Sequence, residues 1–384
     1  MRRRSHFWVL GARFVFRCGY TFWVRGSGFG LYPTNGERSN LESRTEPEHE
    51  RRTRRTQKRE RYLRWTLLLT IVLALEGHPS SQGQTQTAAP TSPLTQTAYI
   101  KASNADAYDY FADGGGNQGH NGNSIAMSAD GSTMAVGAPY ESGGSKGLNG
   151  DQNDNSAYAS GAVYIFVRQG ASWTQQAYIK ASNTDQSDHF GASVALSHDG
   201  HTLAVAAPWE SSATTGVDGN QSDNSLRQAG AVYLFVRTGS TWTQQAYVKA
   251  SNAGRAGEGE MPGDGDQFGY SLGLSGDGNT LAVAAPNEDS SARGIDGPQD
   301  NNDRPESGAA YFFTRTGSTW RQVAFVKGAN SDAYDEFGGS VAVSRDGRTI
   351  VIGARGEDGG AVGVNGNQAD NSVDEAGAVY VFTR

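Results

Sequence analysis

The chain has 384 residues, and its net charge of −7 is the sum of two opposite charges: +10 on residues 1–64 and −17 on residues 65–384. Fifty-one glycines against 11 prolines, with many aromatic residues, indicate a folded, turn-rich and mainly β protein rather than a disordered one. The single cysteine, Cys18, excludes a disulfide framework and cysteine-based zinc or redox sites in the rest of the chain. The acidic body has no basic patch of the kind that nucleic acid binding needs.

The first part of the chain is predicted to direct export. Residues 1–64 form a basic leader to which we assign no fold, and residues 65–76 form a signal-like segment. Its apolar run, Trp65–Leu75, is short for a membrane span, although an uncleaved anchor made of residues 65–75 is the alternative. Residues 77–93 are rich in Ser, Thr, Gln and Pro and are predicted to be a linker. The expected location is therefore secreted or cell surface.

Residues 94–384 contain an internal repeat. A Gly-Ala-(Val/Ala)-Tyr-x-Phe motif and a Ser-x-Asp-Gly-x-Thr motif each occur four times, with common spacings of 69, 78 and 69 residues. The first motif begins at Gly161, Gly230, Gly308 and Gly377, and the second has its aspartates at Asp130, Asp199, Asp277 and Asp346. These motifs define repeats near 102–180, 181–249, 250–327 and 328–384, preceded by one strand-like segment, residues 94–101.

Each repeat contains short runs of β-branched and aromatic residues separated by turn residues. In the second repeat they are Phe190–Ser197, Thr202–Ala207, Gly230–Arg237 and Trp242–Lys249. Four such antiparallel strands make one blade, so we predict an all-β fold, a β-propeller of four-stranded antiparallel blades with four repeats. Because the last repeat ends after its third strand, Leu94–Lys101 is expected to supply the fourth and close the ring. Membership in a larger propeller is the alternative.

The pairs Phe190-Gly191 and Phe268-Gly269, each followed by an Ala-Val-Ala-Ala-Pro run, resemble the FG-GAP repeats of integrin-alpha-like β-propellers. The first copy has Asn121-Gly122 in place of Phe-Gly, and the last has Arg355 in place of proline. The resemblance implies the propeller fold and a role in cell adhesion. It also implies a calcium loop between the first two strands, but here that loop is only a Ser-x-Asp-Gly turn, so the family's calcium site does not transfer to those positions.

A different polar loop follows the second strand of every repeat. Carboxylates and amides at alternate positions around a glycine suit a hard cation such as calcium, and the same residues also serve as ordinary turn formers that bond the local backbone. Both interpretations stay open. The candidate calcium ligands are Glu141, Asn149, Asp154, Glu210, Asp218, Asn220, Asp223, Glu288, Asp296, Asp300, Glu357, Asn365 and Asp370.

Other repeated side chains favour structural roles. The tryptophans that open the fourth strands, Trp173, Trp242 and Trp320, are predicted to pack between blades. Four lysines end the fourth strands and are predicted to protect sheet edges by their charge: Lys101, Lys180, Lys249 and Lys327.

No catalytic triad or zinc motif is visible in the sequence, so we do not expect an enzyme. The expected function is an extracellular binding or adhesion module whose long loops contact a protein or polysaccharide ligand, with calcium as the one possible cofactor. The alternatives are a hydrolase acting on extracellular carbohydrate and a structural envelope component. The ligand is expected near two insertions that break the repeat, Asp113–Gly119 and Ala253–Asp266.

Overall fold

The computed structural model describes residues 14–15, 20–25, 28–33, 94–113, 123–254 and 265–384. The chain divides into two compact units, Met1–Thr91 and Ser92–Arg384. In the first unit, β1 (Phe14–Val15), β2 (Tyr20–Arg25) and β3 (Gly28–Pro33) form one antiparallel sheet, which the irregular pattern of aromatic residues does not predict. The signal-like segment and the linker lie outside the described residues.

The second unit is a series of antiparallel sheets, one for each repeat. Blade 1 contains β4 (Ile125–Met127), β5 (Thr133–Ala138), β6 (Ala162–Gln169) and β7 (Ser172–Ile179). Blade 2 contains β8 (Ser193–Leu196), β9 (Thr202–Ala207), β10 (Ala231–Thr238) and β11 (Thr241–Val248). Blade 3 contains β12 (Ser271–Leu274), β13 (Thr280–Ala285), β14 (Ala309–Thr316) and β15 (Thr319–Val326). Blade 4 contains β16 (Phe337–Val343), β17 (Thr349–Ala354) and β18 (Ala378–Thr383).

The prediction of an all-β propeller is confirmed. The four strands predicted for the second repeat all occur, with ends that differ by a few residues. In the part of the chain that the structure describes, every strand pairing is antiparallel. None of the described residues belongs to a helix with the length and apolar character of a membrane span.

Neighbouring blades pack face to face through apolar side chains. Val232 and Leu234 of β10 share a buried cluster with Tyr311 and Phe313 of β14, so one face of blade 2 contacts the opposite face of blade 3. The blades approach closely at the glycine that directly precedes the third strand in blades 1 to 3. A Cβ atom on Gly230 would lie 2.1 Å from the carbonyl oxygen of Phe268 in the next blade. The predicted packing role holds for Trp242 and Trp320, which are buried, whereas Trp173 is partly exposed.

The Ser-x-Asp-Gly turns join the blades at one end of the inner strands. The backbone amide of Ala129 donates to the carbonyl of His198, that of His198 to the carbonyl of Gly276, and that of Gly276 to the carbonyl of Arg345. Each N···O distance is 2.9 Å. These bonds run from blade 1 to blade 4 in one direction, so the four turns lie together.

The predicted ring closure is not found. Leu94–Lys101 is assigned to no strand, and among the described residues β18 pairs only with β17. The faces that closure would bury stay exposed: Val379 and Val381 on blade 4 are 67% and 61% exposed, and Met127 on blade 1 is 50% exposed. No described residue covers these outer faces of blades 1 and 4.

Candidate binding site

The predicted calcium ligands include one glutamate per blade, and the structure gives these glutamates a different partner. Each glutamate of blades 1 to 3 forms a buried ion pair with the lysine at the end of the fourth strand of its own blade. The pairs are Glu141 with Lys180 at 2.7 Å, Glu210 with Lys249 at 2.8 Å, and Glu288 with Lys327.

The Glu210 carboxylate shows how these pairs are held. Its Oε2 accepts hydrogen bonds from Lys249 Nζ at 2.8 Å and from the amide of Ser212 at 3.2 Å. Its Oε1 accepts from Asn183 Nδ2 at 3.0 Å, and Asn183 belongs to the segment that enters blade 2 from blade 1. Burial lowers the pKa of Lys249, while the charge of Glu210 opposes that shift. The pair therefore joins the second strand, the fourth strand and the segment from the preceding blade.

The prediction that these lysines protect sheet edges from pairing is wrong for blades 1 to 3. Lys180, Lys249 and Lys327 are fully buried, because the loop that follows the second strand folds over the end of the fourth strand and brings the glutamate to it. The sequence holds a signal that could have found the pairs, since glutamate and lysine are separated by 39 residues in each of these blades. Lys101 is exposed but lies in a segment assigned to no strand, so its role at a sheet edge stays a prediction.

The Asx residues of the loop bond to the backbone. The first Asx of each loop in blades 1 to 3 accepts a fourth-strand amide: Asn149 from Tyr178, Asp218 from Tyr247, and Asp296 from Phe325. A later aspartate accepts an amide of the same loop: Asp154 from Gly144, and Asp223 from Ala213. Asn220 and Asp370 accept amides two residues further along the chain. In blade 3 the position equivalent to Asp223 is Asn301, which accepts the amide of Ser291, and Asp300 is exposed instead. Asn365 lies exposed in blade 4.

The donor set of blades 1 to 3 does not fit calcium. The glutamate oxygens of blades 1 to 3 already accept an ammonium and an amide, and the loop oxygens accept backbone N–H groups. Within the described ranges, no group of three or more His, Cys, Asp and Glu side chains stands close enough to hold a metal ion. A cation would have to displace a buried lysine from its glutamate.

A second set of repeated carboxylates was missed in the sequence. Each blade has a buried aspartate two residues before the phenylalanine of its first strand region, and the four are Asp109, Asp188, Asp266 and Asp335. Burial raises the pKa of Asp188 and of Asp266 to about 8 and that of Asp335 to about 7, and it also raises the pKa of Asp109. The recurring Asp-x-Phe spacing is the signal that marks them.

The first of these aspartates corrects the alignment of the first repeat. Asp109 is followed by Phe111, whose ring packs edge-on against Tyr164 and Phe166, just as Phe190 packs against its own blade. Phe111-Ala112, and not Asn121-Gly122, therefore takes the Phe-Gly position. The insertion that begins at Asp113 comes after this position and hides the match in the sequence.

An aromatic cluster lies where the second strands of blades 1 and 2 end, on the opposite end of these strands from the Ser-x-Asp-Gly turns. We define it by five residues: Tyr110, Tyr140, Tyr158, His189 and Trp209. The ring centroids lie 5.0 Å apart for Tyr110 and Tyr140, 4.6 Å for Tyr140 and His189, and 4.1 Å for the stacked pair His189 and Trp209. Tyr158 adjoins them and is 66% exposed.

The cluster is a mixed surface of buried and accessible rings. His189 is buried, whereas Tyr110, Tyr140 and Trp209 are partly exposed. Burial raises the pKa of Tyr140, and the neighbouring groups Tyr158, Tyr110 and Asp113 add to that shift. Asp113 is the first residue of one of the two insertions at which a ligand was expected, and the rest of that insertion lies outside the described residues.

The cluster breaks the symmetry of the repeat. At the positions of Tyr140 and Trp209, blades 3 and 4 carry Asn287 and Gly356. At the positions of Tyr110 and His189, those blades carry Gln267 and Glu336, and at the position of Tyr158 the other blades carry Arg227, Pro305 and Asp374. Structural residues recur in every blade, so these aromatic residues are not required by the fold.

The turns at the opposite end line a cleft of about 1060 Å³ with residues of all four blades. Asp130, Asp199, Asp277 and Asp346 lie there, and each accepts a hydrogen bond from the serine two residues earlier. That bond and the amide of Ser132 lower the pKa of Asp130 to about 2. These aspartates form the turns themselves, and they recur in each blade.

Two segments of the chain match a known repeat family. The FG-GAP repeat family matches residues 173–235 and 320–382. Among solved structures, a putative TolB from Agrobacterium tumefaciens is 14% identical, with a TM-score of 0.27 over 60% of this chain and 52% of that chain. The periplasmic gluconolactonase of Pseudomonas aeruginosa is 18% identical, with a TM-score of 0.27 over 61% of this chain and 65% of that chain. This chain thus spans less than two thirds of either structure. No curated protein matches the sequence.

The two matched segments each begin at a fourth-strand tryptophan and end on the third strand of the next blade, at Phe235 and Phe382. Each matched segment therefore crosses from one blade into the next. The same unit repeats along the chain wherever one blade packs on its neighbour. The chain contains FG-GAP repeats, folded as the blades of a β-propeller.

Proposed function

We propose that the protein is an exported or cell-surface binding module, and that it contacts its ligand through the aromatic cluster. The observation that carries this proposal is the departure of the cluster from the four-fold repeat. Partly exposed rings at Tyr110, Tyr140, Tyr158 and Trp209 offer apolar contact area on the face where the long loops begin. Aromatic side chains dominate the binding energy of many interfaces.

The ligand class follows from the chemistry of that face. Tyrosine and tryptophan rings present flat apolar surfaces with polar tips, which suit a neutral polysaccharide or an extracellular protein surface. The net charge of −17 over residues 65–384 disfavours anionic ligands. The carboxylates with raised pKa recur in all blades, and this favours a structural role for them rather than the acid and base roles of a hydrolase.

The location rests on the basic leader and the short apolar run that follows it. Export with cleavage gives a secreted domain, and retention of residues 65–75 gives a domain anchored at the cell surface. Fractionation of cells that express the tagged chain, followed by sequencing of the mature amino terminus, separates the two. A chain that stays in the cytoplasm would contradict the proposal.

The binding proposal is tested by screening the full chain against immobilised neutral polysaccharides and extracellular matrix proteins. Replacement Trp209→Ala should weaken binding of a hit at least tenfold, since a buried aromatic contact is worth about 1.4 kcal/mol or more. Trp173→Ala is the matched control, because Trp173 is a partly exposed tryptophan outside the cluster and should change binding less than twofold. Equal losses in both variants, or unchanged binding in Trp209→Ala, would refute the proposed contact face.

A further inference from the structure

The two ends of the blade series carry complementary faces that have no cover. On blade 4, Val379 and Val381 are exposed, whereas Val232 and Leu234, at the same positions of blade 2, are buried against blade 3. Blade 1 exposes the opposite face, where Ile125 and Met127 hold positions that are buried in blade 2. At the internal interfaces, the face that blade 4 exposes is packed against the face that blade 1 exposes. The two exposed faces are therefore complementary.

Glu357 of blade 4 is buried without the lysine that its equivalents have. It accepts hydrogen bonds from Asn330 at 2.7 Å and from the hydroxyl of Tyr380 at 3.3 Å, and among the described residues no lysine pairs with it. The glutamates of blades 1 to 3 each have a lysine 39 residues later, on the fourth strand. Blade 4 lacks that strand in the described part of the chain, so its carboxylate is buried and uncompensated, which is costly.

The missing strand has a matching sequence at Leu94–Lys101. Its residues Leu-Thr-Gln-Thr-Ala-Tyr-Ile-Lys align with Trp173–Lys180, which forms the fourth strand of blade 1. In the alignment, Tyr99, Ile100 and Lys101 stand at the positions of Tyr178, Ile179 and Lys180. The segment is assigned to no strand, and Leu94 and Tyr99 are among the most exposed large apolar residues of the described chain, although Ile100 packs against the core of blade 1.

The polar groups of blade 4 fit the same strand. Asn149, the equivalent of Asn365, accepts the amide of Tyr178 through its side chain, so Asn365 is placed to accept the amide of Tyr99. The loop residue before Asn149 forms an isolated bridge with Ile179, and its counterpart Val364 stays 90% exposed.

A hydrogen bond between an arginine and a threonine of neighbouring blades also indicates that blade 1 can pack on blade 4. Arg237 of blade 2 donates to Thr133 of blade 1, and Arg315 of blade 3 donates to Thr202 of blade 2. Arg168 of blade 1 and Thr349 of blade 4 are the equivalent donor and acceptor, and no such bond joins them here. A blade 1 docked on blade 4 would complete this contact.

We propose that a second copy of this chain covers these faces. Blade 1 of one copy docks on blade 4 of the other, with Leu94–Lys101 as the fourth strand of that blade and Lys101 paired with Glu357. The chain's own blade 1 does not reach blade 4 while the three internal interfaces are formed, so the complementary faces are left for another molecule. Two copies joined head to tail make a closed ring with two equivalent contacts, and doubling the four repeats stays within the usual range of roughly four to eight blades.

Cross-linking tests the proposal in the full chain with Cys18→Ser. Val163, Val232 and Ala310 stand opposite Ile179, Val248 and Val326, and by the same register Val379 should face Ile100. We expect Ile100→Cys and Val379→Cys chains, mixed and oxidised, to form a covalent dimer that contains one of each. Each variant alone should give none. A chain that carries both cysteines and cross-links only within itself would overturn the proposal, and so would the absence of any cross-link.

The mass in solution gives an independent measure. Light scattering should show two chains for the wild type, and Lys101→Met should raise the dissociation constant at least a hundredfold because it removes the counter-charge that docking brings to the buried Glu357. Lys146→Met, which alters another exposed lysine of blade 1, should leave it unchanged. A monomeric wild type, or equal effects of the two substitutions, would overturn the proposal. Neither measurement depends on the ligand proposed above.

Discussion

The ammonium of Lys249 lies 2.8 Å from a carboxylate oxygen of Glu210, and both side chains are buried. This contact joins a loop of the blade to the end of its fourth strand, beside the hydrogen bond from the Tyr247 amide to the Asp218 side chain and the backbone bonds around it. The same arrangement holds Glu141 to Lys180 in blade 1. Each pair therefore fastens the long loop of a blade to the strand on the blade's outer edge.

Replacing Lys249 by methionine should destabilise the domain by about 3–5 kcal/mol, because it leaves the Glu210 carboxylate buried without a counter-charge. Adding Glu210→Gln should restore much of the loss, since the second change removes that charge. Denaturant unfolding of the two single variants and the double variant measures the coupling. Lys146→Met is the control and should stay within about 0.5 kcal/mol of wild type. Additive effects of the single substitutions would contradict a buried pair.

Stability should fall as pH rises from about 4 to about 8. Burial raises the pKa of Asp188 to about 8, while an unfolded aspartate ionises near pH 4. Between these values the folded protein keeps a proton that the unfolded chain has released, so the free energy of unfolding decreases with pH and levels off above the folded pKa. Asp188→Asn should flatten this slope, and exposed Asp303→Asn should not. Unfolding curves at several pH values check this, and an unchanged slope in Asp188→Asn would count against it.

Gly230→Ala should cost about 4 kcal/mol or more. The backbone of Gly230 has a φ of +77°, and an added Cβ would lie 2.1 Å from the carbonyl oxygen of Phe268, so neither blade has room for it. Gly239→Ala is the matched control, with a φ of +62° and no atom within 4 Å of the added Cβ. It should cost only about 1–2 kcal/mol, from the left-handed backbone alone. Similar losses in both variants would show that the clash between blades does not decide the outcome.

Chelation should leave the domain's stability unchanged. The glutamates of blades 1 to 3 are neutralised by lysines, and the loop oxygens accept backbone amides, so none of these groups needs a cation. We expect the same Tm in excess EDTA and in added calcium. A fall in Tm with EDTA that calcium reverses would restore the calcium interpretation of the loops.

Local repetition made the blades predictable. The strands around Thr202–Ala207 and Ala231–Thr238 could be predicted from runs rich in β-branched and aromatic residues and from Asp-Gly turns, because neighbouring residues in the sequence form them. The pairing of Glu210 with Lys249 was harder to predict, since it depends on how a long loop folds back over the sheet. The loop composition suits a cation equally well, and only the burial of the lysine decides between the two.

The aromatic cluster could not be predicted for a different reason. Its rings come from segments that precede and follow the second strands of two blades, and the packing of blade 1 on blade 2 brings Tyr140 onto His189. The insertion after Asp113 also concealed the equivalence of Phe111 and Phe190, so the first repeat was aligned ten residues too late. Contacts between repeats require knowledge of how the blades pack, which the sequence of one repeat does not contain.

The glycine contact between blades has a consequence for how such a protein changes its size. Gly161, Gly230 and Gly308 meet Phe190, Phe268 and Phe337 in the same way, with 2.1–2.2 Å between the added Cβ and the carbonyl oxygen. A duplicated gene segment that encodes one whole repeat would find a matching neighbour on either side. An insertion of half a repeat would find none. Genetic variation in the length of this domain should therefore come in whole blades.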